Sequence, residues 1–168
     1  MESLFIKLAK HPIIETERLV LRPVTLDDAE AMFEYASNQE NTRFTFPTNQ
    51  SLEETKNNIA QFYLANPLGR WGIELKSTGE FIGTIDLHKM DTVLKKAAIG
   101  YIINQKYWNQ GLTTEANRAV IELAFEKIFQ LFFLSLTNKV REEKIWKNLL
   151  RKSKNIKSLL SVFVWVWS

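Results

Sequence analysis

The stretch IGYIINQKYWNQGLTTEA, residues 99–116, decides how this chain folds. Its β-branched run ends at Asn104, a short polar turn carries one glycine, Gly111, and a new period then begins. Over residues 113–128, Ala116, Val120, Leu123, Ala124 and Ile128 fall on one face at helical spacing. A strand therefore runs through a tight turn into an amphipathic helix. Working outward, RWGIELK and FIGTIDLHKM are short strand patterns joined by STGE, a turn in which Gly79 supplies positive φ. AAIGYIIN is the third strand of this group.

Upstream, ERLVLRPV alternates over residues 17–24 and reads as the first strand, closed by proline. TLDDAEAMFEYAS follows as a helix, with Thr25 and Asp28 spaced as a capping box and Ala29, Met32, Phe33 and Ala36 on one face. NQENTRFTFPTNQ reads as loop. SLEETKNNIAQFYLANP is a second helix, with Ser51 and Glu54 as its capping box and Pro67 just past its end. Downstream, LFFLSLT reads as a buried strand, REEKIWKNLLRK as a basic amphipathic helix and SLLSVFVWVWS as a strand. The order βααβββαβαβ implies an α/β (α+β) chain with a mixed, mainly antiparallel central sheet flanked by helices.

With 168 residues and no repeat or linker, the chain reads as a single domain, residues 1–168. It has no cysteine, which excludes disulfides, a thiol nucleophile and thiolate metal sites. His11 and His88 are far apart and show no metal-ligand spacing, so no metal is expected. MESLFIKLAK is too short an apolar stretch for a secretory signal, and no segment reaches a membrane span. A cytoplasmic location is the expectation. Residues 139–157 hold eight Lys or Arg and two Glu, so this block alone carries +6 in a chain of net charge +3. It reads as a solvated helix face; Trp146 alone offers a ring for base stacking.

Gly111 stands at the junction of strand and helix. Several N–H groups there have no intrahelical partner and the helix dipole is positive, an arrangement that attracts anions. A missing side chain lets a phosphate come close, and the hydroxyls of Thr113 and Thr114 add donors. Glu115 fits the first-turn preference for acids and need not touch a ligand. The turn has neither the GxGxxG of a dinucleotide fold nor the lysine of a P-loop.

The segment IGYIINQKYWNQGLTTEANRAVIELAFEKI resembles the acetyl-CoA-binding core of the GNAT superfamily of N-acetyltransferases, and most of all its RimJ/RimL branch, which acetylates ribosomal-protein N-termini. ETERLVLRPVTLDDAEAMFEYASNQE, SLEETKNNIAQF and WGIELKSTGEFIGTIDL are similar to the same branch, in register over residues 14–128. The resemblance implies the acyl-CoA N-acyltransferase fold, with acetyl-CoA as cosubstrate. It places the CoA pyrophosphate on the backbone of Asn109, Gln110, Gly111, Leu112, Thr113 and Thr114. It pairs the pantetheine arm with Ile102, Ile103 and Asn104. Trp108 matches a position that is commonly Trp in this branch, and Thr113 stands where Gly or Ala is more usual.

Acetyl transfer from a thioester to an amine needs a neutral, close amine, a polarised carbonyl and a proton for the leaving thiolate. A free N–H near Ile102 would polarise the carbonyl. Many relatives carry Glu just before IGY, where this chain has Ala98. Asp86 and His88 share a strand face by period two, and either would relay a proton through water. Tyr101 is a third candidate, and all three also read as ordinary structural groups. Phe44, Phe46 and Trp71 are candidate linings of the amine pocket. The acceptor expected from the branch is a protein N-terminal amine, with a small-molecule amine open by the same chemistry.

Residues 138–168 depart from the family. Aligning VREEKIWKNLLRKSKN puts Lys144 and Lys147 at the usual Asn and Ser, and Lys154–Asn155 at the usual Gly-Phe. Two readings account for this: a divergent enzyme whose basic helix meets CoA phosphates by charge, or a shifted frame or truncation between Thr137 and Lys154. An exposed VFVWVW strand would invite pairing, hence a homodimer. Two rivals stand beside the enzyme reading: an inactive CoA-binding or regulatory domain, and an RNA- or ribosome-binding module.

Overall fold

Leu19 and Leu21 point to one side of a strand and Val20 and Arg22 to the other, and this alternation continues across five antiparallel strands. The computed structural model describes residues 3–91 and 96–124. Its strands are β1 (Ile14–Glu15), β2 (Leu19–Arg22), β3 (Arg70–Leu75), β4 (Glu80–Asp91) and β5 (Lys96–Ile103), hydrogen-bonded in that order. The central sheet expected from the sequence is present, and every pairing among the described residues is antiparallel. The strands and helix read from residues 131–137, 141–152 and 158–168 lie outside the described residues. So does the proposed frame or tail anomaly.

The register separates two faces. Trp71, opposite Ile85, belongs with Leu19, Leu21 and Ile73 on one of them. Helix α5 (Leu112–Leu123) packs across β1, β2 and β5, burying Leu112, Ala116, Val120 and Ile121. Arg70, Thr84, Asp86, His88, Gly100 and Ile102 share the opposite face. There Ile102 and Phe81 join Val24, Ala29, Met32, Tyr35, Ala36 and Ile59 in one core cluster. That cluster lies beneath α2 (Ala29–Ala36) and α4 (Leu52–Asn58). Each fully buried Leu, Ile or Phe contributes about 1.5–3 kcal/mol.

Local chemistry explains the helix starts. Thr25 and Asp28 form the expected capping box, on a 3-10 turn (Leu26–Asp28) that leads into α2. Asp28 also receives both terminal nitrogens of Arg22 at 2.8 and 2.9 Å, tying the helix to β2. Ser51 Oγ accepts from Glu54 N–H at 3.1 Å, while Glu54 reaches back to Gln50 N–H at 2.6 Å, one residue earlier than a capping box requires.

Four expectations are corrected. A strand, Ile14–Glu15, precedes the one read as first. MESLFIKLAK holds a helix, α1 (Leu4–Ala9), which buries Leu4 and Leu8. The presumed loop NQENTRFTFPTNQ contains α3 (Gln39–Thr42), capped by Asn38 Oδ1 on the N–H groups of Glu40 and Asn41. The second helix does not run on in one geometry: α4 widens into a π-helical segment, Ile59–Leu64.

Gly83 is the tightest point between β4 and β5. A Cβ there would stand 2.3 Å from Ile102 O and 2.8 Å from Ile103 Cα, and backbone cannot swing aside as a side chain does. Gly83→Ala should therefore part the two strands at the end of β5, at a cost of about 1–3 kcal/mol. A thermal melt is expected to fall by several degrees. An unchanged melting temperature would mean that the strands separate freely.

Candidate active site

Asn104 ends β5. Its buried N–H donates to Ile82 O at 2.8 Å, its side-chain oxygen accepts from Lys106 N–H at 3.1 Å, and its carbonyl accepts from Tyr107 N–H at 2.9 Å. A short 3-10 turn (Gln105–Tyr107) results. The Ile103 carbonyl accepts from Trp108 Nε1 at 2.9 Å and from Asn41 Nδ2 at 3.1 Å, so both its lone pairs are used. Asn41 Oδ1 in turn accepts from Gln105 N–H at 2.7 Å. This buried asparagine of α3 thus braces the chain on both sides of the turn. Sequence reasoning missed it, because one asparagine in a polar stretch carries no periodic signal.

The Asn104–Ile82 bond also sets the phase of the ladder. Antiparallel pairs alternate between hydrogen-bonded and non-hydrogen-bonded, so Ile102, opposite Thr84, turns its N–H and C=O into the sheet. The N–H of Ile103 turns the other way, to the edge that β5 forms among the described strands. At this end of β5 the outward N–H is therefore that of Ile103, not that of Ile102.

Beyond Trp108 the backbone enters the left-handed region twice, at Asn109 (φ 65°) and Gly111 (φ 76°). Gly111 caps α5, whose first bond runs from Glu115 N–H to Gly111 O at 3.1 Å. The N–H groups of Leu112, Thr113 and Thr114 consequently have no acceptor within the helix. Leu112 is buried and anchors the turn, and Thr113 O accepts from Asn117 Nδ2 at 2.9 Å. Glu115 is bound to the β1–β2 hairpin. Its Oε1 accepts from Thr16 Oγ1 at 2.6 Å and Arg18 N–H at 2.8 Å, and its Oε2 from Arg18 Nε at 2.7 Å. Burial pushes its carboxyl up, but these bonds outweigh burial and hold it below the usual range. Arg18 Nη1 continues to Gln110 O at 3.0 Å.

On the α2/α4 face, His88 Nδ1 and Asp86 Oδ2 are 2.9 Å apart. The Asp86 side chain is 16% exposed and that of His88 34%, so the pair is sheltered but reachable. Burial pushes the Asp86 carboxyl above its ordinary value, with His88 and Arg70 opposing. Gly100 stands opposite Asp86, and a Cβ there would lie 2.7 Å from Asp86 Oδ1. Ala98 stands opposite His88. Next along the face, Thr84 Oγ1 receives Tyr63 OH at 3.0 Å, and burial raises that phenol to about 12.

The aromatic candidates part company. Phe44 is 62% and Phe46 37% exposed, on the chain that leaves α3 beside the end of β5. Trp71 is 2% exposed, on the face away from Asp86 and His88, where it is core. Among the described residues no group of three or more His, Asp or Glu is arranged to hold a metal ion. None of the described helices is long and apolar enough to cross a membrane.

The model of the acetyltransferase (GNAT) domain matches residues 18–148 of this sequence. The chain belongs to the GNAT acetyltransferase family. It is 39% identical over 121 residues to the uncharacterized N-acetyltransferase YoaA of Bacillus subtilis, covering 70% of this chain and 68% of that protein. The fold matches a GNAT-family acetyltransferase of Bacillus anthracis with a TM-score of 0.69 at 22% identity, over 82% of this chain and 81% of that one. It also matches a spermidine N-acetyltransferase of Vibrio cholerae, solved in complex with CoA and spermine, with a TM-score of 0.59 at 17% identity over 71% and 70%. The GNAT family uses acetyl-CoA, and this chain is an acetyltransferase of that family.

Proposed function

We propose that this chain acts as one acetyltransferase domain that moves the acetyl group of acetyl-CoA to a primary amine, a protein N-terminal amine of the ribosomal-protein type, in the cytoplasm. The observation that carries the proposal is the turn from Asn109 to Thr114. Two left-handed residues curl its backbone, and three helix N–H groups lack partners within α5. Those donors suit the pyrophosphate, and the outward N–H of Ile103 suits the thioester carbonyl. Bound acetyl-CoA supplies an activated acetyl thioester.

The remaining chemistry falls to the chain. Asp86 accepts a hydrogen bond from His88 Nδ1–H, which leaves Nε2 with its lone pair to take the proton released as the amine attacks. Ala98, opposite His88, carries only a methyl group. Phe44 and Phe46 flank the acceptor, and Trp71, buried on the other face of the sheet, does not. The resemblance of residues 14–128 to the branch that acetylates ribosomal proteins supports the choice of acceptor.

The test is ligand-dependent melting followed by product analysis. Acetyl-CoA at a hundred times its dissociation constant is expected to add about 2.7 kcal/mol to stability, an upward shift of several degrees. Mass spectrometry should then find an added acetyl group on peptides with a free N-terminus and little on spermine. Acetylated spermine with untouched peptides would reassign the acceptor. No thermal shift in a folded sample would overturn the cofactor reading.

A further inference from the structure

A peptide group is planar and trans, so its C=O and N–H point to opposite sides. Arg18 Nη1 holds the Gln110 carbonyl at 3.0 Å, and the Gly111 N–H of the same peptide must therefore face away from Arg18. Asn109 and Gly111, on either side of Gln110, are both left-handed, the backbone conformation from which anion-binding turns are built. Arg18 lies behind this turn: its Nη2 is 3.6 Å from the point where a Gly111 Cβ would stand. The guanidinium is itself fixed, since its Nε is 2.7 Å from Glu115 Oε2 and the carboxylate is held by Thr16 as well. A chain of bonds thus runs from the β1–β2 hairpin through Arg18 to a carbonyl 92 positions later.

We propose that Arg18 is a positioning residue for acetyl-CoA: by holding back the Gln110 carbonyl it aims the Gly111 N–H, and the turn around it, at the pyrophosphate. The inference rests on the acetyl-CoA reading above. It gives Arg18 no contact with the ligand, because its guanidinium lies on the far side of the peptide. Its effect should therefore be confined to the part of the cosubstrate that carries phosphate.

The experiment compares acetyl-CoA with S-acetylpantetheine, a thioester that lacks the pyrophosphate, in the full chain and in Arg18→Met. The methionine keeps an apolar stem and loses every donor. The KM for acetyl-CoA is expected to rise about tenfold or more, with kcat at saturation near that of the parent, while kcat/KM for S-acetylpantetheine stays unchanged. Lys76→Met removes the bonds of Lys76 Nζ to Glu15 Oε2 and Thr16 O in the same hairpin but leaves the Arg18–Glu115 and Arg18–Gln110 bonds, so it should lower the melting temperature without moving the acetyl-CoA KM. Should Arg18→Met not fold, Arg18→Lys carries the comparison, with a smaller rise again confined to acetyl-CoA. Equal losses for both thioesters, or an acetyl-CoA KM unmoved in the Arg18 variants, would overturn the proposal. A parent chain that neither binds nor turns over acetyl-CoA overturns the cofactor reading, and this inference with it.

Discussion

His88→Gln is expected to lower kcat for amine acetylation by about 10²–10⁴-fold, the usual contribution of a positioned general base, while acetyl-CoA still raises the melting temperature. Glutamine can accept the geometry but cannot take up the amine proton. The placement of His88 suits it to that role. The imidazole is 2.9 Å from Asp86, partly open to solvent, and opposite Ala98 on the neighbouring strand. Directly opposite partners in a sheet bring their Cβ atoms to about 4.5–5.5 Å. A group at position 88 therefore reaches the space beside position 98, where the resemblance to the family leads one to expect Glu. An unchanged kcat in His88→Gln would remove the histidine from the mechanism and return the pair to a structural role.

Asp86→Asn separates the two roles by stability. Burial raises the Asp86 carboxyl in the folded protein, so the native state holds that proton more tightly than the unfolded chain does. Stability from this group is then fully present below the unfolded value, about 3.9, and is lost as pH rises through the folded value. Asparagine has no proton to lose. At pH 7 to 8 the variant should melt at or above the parent temperature, and the gap should close as pH falls through the acid range. Acetylation should nonetheless drop, because an amide cannot stabilise a charged imidazole as a carboxylate does. A variant that melts well below the parent at neutral pH would show that Asp86 is held for the fold. Gly100 belongs to the same argument: a methyl group there would press on the Asp86 carboxylate at 2.7 Å.

Period and capping made most of the sheet legible. Asp86 and His88 were on one face by simple alternation, and their hydrogen bond is the consequence. Thr25 with Asp28 marked a helix start because the reciprocal bonds need that spacing. What escaped was set by tertiary geometry. Helix α3 is four residues long, too short for a periodic pattern, and only Asn38 as its cap announced it. Trp71 looks like any aromatic in a half-buried strand; the register with Ile85 assigns it to the core face. The choice between Ile102 and Ile103 as the outward N–H depends on the phase of the ladder, which the Asn104–Ile82 bond fixes and composition does not encode. Arg18 reads as one exposed charge in an alternating strand start, and only folding brings it to Gln110.

Gly111→Val should abolish the acetyl-CoA thermal shift, whereas Gly111→Asn should largely keep it. The reason is handedness rather than room. Gly111 sits at φ 76°, ψ 2°, where an L residue costs about 1–2 kcal/mol and a β-branched one is a genuine outlier. A Cβ there meets only Arg18 Nη2, at an ordinary 3.6 Å, and points behind the turn rather than into its concave side. Valine will therefore pull the backbone out of the left-handed region and swing the Gly111 N–H away from the ligand. Asparagine tolerates that region, as Asn109 already does at φ 65° in the same turn. In the absence of ligand both variants should stay folded, with valine less stable by about 1–2 kcal/mol. Differential melting with and without acetyl-CoA reads both effects together. If asparagine loses the shift as completely as valine, then phosphate approaches through the space a side chain would fill, and glycine is there for clearance. If asparagine keeps it, the left-handed turn itself is what binds.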